Sequence, residues 1–113
     1  MTKQEYKKLL IDTSAAGMFP SVRDGQCAYR GDDGRKCAIG VAIPDSVYDP
    51  SVEGWGIPDV IYIIDVIGVT KKELSKCQYA HDTLAITGWD HEAFVRNIES
   101  ILGSDDESES KSE

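Results

Sequence analysis

Twice in this chain a threonine stands three residues ahead of a glutamate at the head of an apolar stripe, Thr2 with Glu5 and Thr70 with Glu73. That spacing commits two long segments to helix. The Thr hydroxyl can accept the third backbone N–H of the helix while the Glu carboxylate reaches back to the Thr N–H, so two otherwise orphaned donors are satisfied together. Behind the first pair, Tyr6, Leu9, Leu10 and Thr13 recur at helical spacing with Lys3, Lys7 and Lys8 between them, which predicts an amphipathic helix over residues 3–16 stopped at Gly17. Behind the second, Leu74, Cys77, His81 and Leu84 fall on one stripe of a helix that Gly88 breaks. Trp89 and Phe94 then take the two positions of a hydrophobic staple around an Asp90 cap. Phe94, Val95, Ile98, Ile101 and Leu102 give this last helix its inward face, closed at Gly103. His91, beside the cap, reads as an exposed first-turn residue.

Two other apolar runs are less determinate. Pro58 suits the first position of a helix, and Val60, Ile61, Ile63, Ile64, Val66 and Ile67 follow almost without a break. Their β-branched content also permits a strand. Asp59 and Asp65 resist burial, so the segment reads as a largely buried helix with both at its wet edge, ended by Gly68. Between Pro44 and Gly56, one helical turn from Asp45 is followed by irregular chain at Pro50, Gly54 and Gly56, which leaves Trp55 in a loop to cap the core or meet a partner.

The second run, residues 37–43, follows a Gly-Asp-Asp-Gly turn that Cys27 and Cys37 flank. Read as a hairpin, a two-residue loop at Asp32 and Asp33 would send the two cysteines to opposite faces. A three-residue loop with Gly34 in the left-handed position brings them diagonally together on one face, and a glycine there favours that register. The competing reading makes residues 37–43 a short helix ended before Pro44, and Gly40 weakens both. The expected fold is α+β, a small antiparallel hairpin packed among about four helices in a single domain over residues 1–103. Residues 104–113, with five acidic residues and one Lys, carry four of the eight net negative charges and read as a disordered acidic tail.

A net charge of −8 argues against a binder of nucleic acid or anionic membrane, which needs a basic face, and suits a basic protein partner or simple solubility. No apolar run approaches the roughly 20 residues of a membrane span, and the Lys-rich start lacks the apolar centre of a signal peptide, so a cytoplasmic chain is expected. Three cysteines are an odd number and point to free thiols or metal ligands rather than a disulfide framework.

Three constellations could carry chemistry. Cys27, Cys37, Cys77 and His81 could complete a tetrahedral zinc site, since residues 77 and 81 are one helical turn apart, although neither hairpin cysteine belongs to a close C-x2-4-C pair. Otherwise Cys77 is a small core residue and His81 a hydrogen-bonded core histidine. A cysteine-dependent enzyme would use Cys27 or Cys37 as nucleophile and His81 as base; Asp82 points about 100° away on the helix and is a poor orienter for that ring. At the hairpin tip, Arg30 beside Tyr29 could clamp a carboxylate or phosphate, with Asp32, Asp33, Arg35 and Lys36 around it, or the tip is a solvated turn with a local ion pair.

The residues Cys27-Ala28-Tyr29-Arg30-Gly31, Lys36-Cys37-Ala38-Ile39-Gly40, Ile43-Pro44-Asp45, Tyr48-Asp49-Pro50, Glu53-Gly54, Gln78 and His81-Asp82 resemble a group of small phage and prophage proteins over residues 26–95. In that pattern the position of Cys77 is usually aliphatic, which bears against a four-ligand zinc site. The group lends no catalytic role to any residue. The resemblance implies a setting: small phage accessory proteins often bind and inhibit a host protein, defence nucleases included. The expected function is therefore protein binding in the host cytoplasm, by an acidic surface that imitates nucleic acid in a basic groove, with Tyr29, Tyr48 and Trp55 as anchors beside Arg30, Asp32 and Asp33. No cofactor is required, zinc being the alternative.

Overall fold

Along α1 (Lys3–Ala15), Tyr6, Leu10 and Ser14 repeat every fourth residue and are all buried, and the chain's last helix is laid against this helix. The computed structural model describes residues 1–23 and 26–103, so the acidic tail lies outside the described residues. After α1 come β1 (Val22–Arg23), β2 (Gln26–Cys27), α2 (Ile57–Val60), α3 (Lys71–Thr87) and α4 (His91–Leu102), with 3-10 turns at Asp32–Gly34, Gly40–Ala42 and Pro50–Val52. These pack as a single, mostly helical globule around one core, with one short strand pair.

Both threonine–glutamate pairs form reciprocal caps. Thr2 Oγ1 accepts from the Glu5 N–H at 3.2 Å while Glu5 Oε1 accepts from the Thr2 N–H at 2.8 Å; Thr70 and Glu73 repeat the exchange at 3.0 and 2.9 Å. Asp90 caps α4 through the Ala93 N–H at 3.2 Å, and the Trp89 and Phe94 rings meet with centroids 5.0 Å apart, as the staple requires. Phe94, Ile98 and Leu102 carry the inward face of α4, each contributing about 1.5–3 kcal/mol by burial.

Two segments depart from expectation. The strand pair is not the ribbon over residues 26–43; it lies one turn earlier, Val22 opposite Cys27 and Arg23 opposite Gln26. Of the expected hairpin only the Arg30–Lys36 bridge forms, which is the register of the three-residue loop, with Gly34 at φ 78°. Residues 37–43 then wind rather than extend: the Val41 N–H donates to Cys37 O and the Ala42 N–H to Ile39 O. The cause is lateral, because the backbone of Gly40 abuts the Tyr29 carbonyl and the Ile39 N–H is taken by Gln78 Oε1 at 3.0 Å.

The second departure follows Pro58, where the helix lasts only Ile57–Val60. Beyond a turn the chain runs extended, the Asp65 N–H donating to Ala42 O and the Ile67 N–H to Met1 O, with Thr2 and Ile67 bridged in parallel. β-branched side chains are stiff against a helical turn, and here the backbone donors find other acceptors. Val60 is buried, Asp59 and Asp65 are exposed as expected, and Tyr62 and Ile67 point outward.

Candidate functional site

α3 projects Gln78, His81 and Asp82 toward the chain that runs through Ser21 and β2. His81 is wholly buried, and both its nitrogens are engaged. Nε2 accepts from the Ser21 backbone N–H at 3.0 Å, so the neutral ring carries its proton on Nδ1, which donates to Asp82 Oδ1 at 2.9 Å. Adjacency in sequence therefore did not keep Asp82 from the ring: the carboxylate folds back alongside the helix, correcting the expectation that it would point away. Phe19 and Trp89 pack edge-on against the imidazole, at 5.4 and 5.6 Å between centroids.

Gln78 is the hub. With its oxygen fixed by the Ile39 N–H, its amide nitrogen donates to Cys27 Sγ at 2.8 Å and to Asp82 Oδ1 at 2.8 Å, and lies 3.5 Å from His81 Nδ1. Cys37, whose sulfur accepts the Gly40 N–H at 3.4 Å, is the neighbour that most raises the Cys27 thiol. Of the four residues expected as a zinc set, Cys27 and His81 converge, while Cys37 lies outside the group of mutually close donor atoms. Cys77 does not join them: the donor atoms within 4.8 Å of one another are those of Cys27, His81 and Asp82. Cys77 packs in the core, where burial and then the Glu73 carboxylate push its thiol up to about 12.

This donor set does not fit zinc. A histidine that ligates metal through one nitrogen donates the proton on its other nitrogen to an acceptor. Here metal at Nδ1 would turn an Nε2–H against the Ser21 N–H, donor to donor. The Gln78 NH2, moreover, already occupies the space between Cys27, His81 and Asp82. The protein purified with zinc in the buffer should carry substoichiometric metal, and a chelator should leave its melting temperature unchanged; stoichiometric zinc, or a melting point that falls on chelation, would reverse this conclusion.

Nor does the cluster assemble a thiol nucleophile activated by His81. A base relaying between a nucleophile and an orienting carboxylate uses opposite nitrogens, whereas here Nδ1–H is given to Asp82 and Nε2 is occupied by the Ser21 N–H, leaving no nitrogen for a thiol. The Cys37 hydrogen bond, burial and the Asp82 carboxylate all push the Cys27 thiol up, outweighing the Gln78 N–H that pulls it down. Concavities along α1, of about 390 Å³, and between α3 and α4, of about 280 Å³, are lined by other residues.

Arg30 is likewise engaged. Its guanidinium donates to Ile43 O at 2.8 Å, pairs with Asp45 at 2.7 Å and stacks over the Tyr48 ring at 4.4 Å, leaving Nε buried and unpartnered. Beneath it, Glu53 accepts the Tyr29 N–H at 2.9 Å, the Arg30 N–H at 3.0 Å and the Tyr48 hydroxyl at 2.6 Å. The Tyr29 hydroxyl donates to Trp55 O. These residues form an internal bracket that ties the tip to the loop after Pro44, not an open clamp for an anion. Tyr29 is buried, correcting its assignment as an exposed anchor, and burial is the first cause pushing its hydroxyl up to about 12. Tyr48 is half-buried; Trp55, Asp32 and Asp33 remain exposed, Asp32 at 3.4 Å from Arg23.

His91 is not a free first-turn residue either. Its Nδ1 shares a hydrogen bond with Ser14 Oγ at 2.7 Å while the same hydroxyl takes the Trp89 indole N–H at 3.0 Å, which ties α4 to α1. The residues that sequence reasoning passed over as functional are Gln78, Glu53 and Ser21. Gln78 was legible, since a Gln four residues before an Asp on a helix is a standard hydrogen-bonding pair; Glu53 and Ser21 act on distant backbone and leave no local signal. Comparison with protein-family models, curated proteins and solved structures finds no match to the chain.

Proposed function

We propose that the chain is a protein-binding module whose acidic, aromatic-studded face docks onto a cationic surface of a partner. In the phage setting that the resemblance implies, the partner is a host protein that handles nucleic acid, met in the host cytoplasm. The observation that carries the reading is a segregation of charge: residues 37–70 hold five carboxylates, Asp45, Asp49, Glu53, Asp59 and Asp65, and not one Lys, Arg or His. All but Glu53 are exposed. The same stretch displays Val47, Trp55, Tyr62 and Ile67, with Tyr62 86% exposed. Exposed carboxylates and exposed aromatics carried on one stretch of chain supply long-range attraction to a cationic groove and apolar anchors to hold within it. Among the described residues no helix is long and apolar enough to cross a membrane.

The test is capture from host lysate on the immobilised chain, followed by challenge of the retained protein. The expected result is one partner released by moderate salt and by duplex DNA, and lost from a Trp55→Ala, Tyr62→Ala double variant that melts like the parent. A partner held equally by parent and variant, or indifferent to both salt and DNA, would overturn the reading.

A further inference from the structure

The Cys27 and Cys37 thiols, left without a role by the binding reading, form a pair of unequal access. All three cysteines of the chain are free. Cys27 sits half-buried at the end of β2, and Cys37 is completely enclosed behind it. Three constraints hold them together: the Arg30–Lys36 bridge closes the loop between them, the Gly40 N–H fixes Cys37 Sγ, and the Gln78 amide fixes Cys27 Sγ. Cys77 is also enclosed but stands apart from this pair. A partly open sulfur with an enclosed one beside it, both held on segments joined through the Gln78 side chain, is the arrangement that two-step thiol–disulfide exchange needs.

We propose that Cys27 and Cys37 are a reversible oxidation site that closes into an intramolecular disulfide on reaction with a low-molecular-weight disulfide. In the first step Cys27 loses its proton to solvent and its sulfur attacks one sulfur of the reagent. The reagent S–S bond breaks, and half of it leaves as a thiolate that takes up a proton. In the second step Cys37 loses its proton and its sulfur attacks Cys27 Sγ of the mixed disulfide, expelling the other half as a second thiol. Two protein thiols are thereby oxidised by two electrons and one reagent disulfide is reduced to two thiols. Closure to the S–S length of about 2.05 Å withdraws Cys27 Sγ from the Gln78 amide, so the Gln78–Asp82–His81 network reports the event.

The Cys37 hydrogen bond, burial and Asp82 together disfavour the Cys27 thiolate. Attack depends on the thiolate fraction, so the rate should climb about tenfold per pH unit between about pH 7 and pH 9.

The experiment treats the full chain with excess oxidised glutathione under native conditions, then alkylates in denaturant and maps the peptides. The expected product has a Cys27–Cys37 bond, and the alkylated thiols fall from three to Cys77 alone. Cys37→Ser should stop at a glutathione adduct on Cys27. Cys27→Ser should leave both remaining thiols free, each variant being checked against the parent for native melting. If a variant fails to fold, the peptide map of the parent decides alone. The proposal is overturned if the parent accumulates the glutathione adduct without the internal bond, if Cys77 enters the native product, or if all three thiols remain free.

Discussion

Replacing Gly40 by alanine should destabilise the fold by about 3 kcal/mol or more, read as a fall in the urea midpoint at unchanged slope. A Cβ at this position would lie 1.9 Å from the Tyr29 carbonyl oxygen, 2.7 Å from its carbonyl carbon and 3.0 Å from its Cα. The obstruction is backbone, so no rotamer change relieves it. Moving Tyr29 aside would drag its N–H and that of Arg30 off Glu53, and would disturb the Tyr29 hydroxyl bond to Trp55 O. A small domain has a total stability of about 5–15 kcal/mol, so this variant should be partly unfolded at physiological temperature. A midpoint like the parent's would mean that residues 29 and 40 do not touch as described.

Glu53→Gln is the second large effect, expected at about 2–3 kcal/mol. The carboxylate is a pure acceptor facing three donors, two of them backbone N–H groups. Its neutral amide keeps one oxygen and turns an NH2 toward a second N–H, so at least one donor is left unsatisfied, at about 1–3 kcal/mol, and a charge-assisted bond is weakened. Tyr48→Phe removes only the phenol from the same node and should cost about 1 kcal/mol. The ordering is the check: a Tyr48→Phe loss equal to or larger than the Glu53→Gln loss would show that the phenol, not the backbone pair, is what the carboxylate holds.

The helix ends were legible because a cap is a transaction among four adjacent residues: Thr2 with Glu5, Thr70 with Glu73 and Asp90 with Ala93 need no knowledge of the rest of the chain. Residues 60–67 and 37–43 were not, because their partners lie elsewhere in the sequence. Met1 O and Ala42 O draw the first into extended form, and Tyr29 O and Gln78 wind the second. The candidate site divides in the same way. The three-residue loop register, read from Gly34, is the one the Arg30–Lys36 bridge adopts, although no ribbon grew from it, and nothing in that register foretold that His81 would meet Cys27. What the His81 ring does there depends on one backbone N–H, that of Ser21, sixty residues away. No spacing rule reaches that far, and it is this bond that separates a packed core histidine from a metal ligand.

The pairing of α1 with α4 sets a condition on how the chain is made. Ser14 waits for Trp89 and His91, and α1 as a whole is laid against the helix formed by residues 91–102. During synthesis, the segment that emerges first therefore lacks its α4 partner until residues 91–102 have cleared the ribosome. Closing so long a loop comes late in folding. Chains halted before Phe94 should stay open to proteolysis, whereas those released a few residues after Leu102 should become resistant all at once.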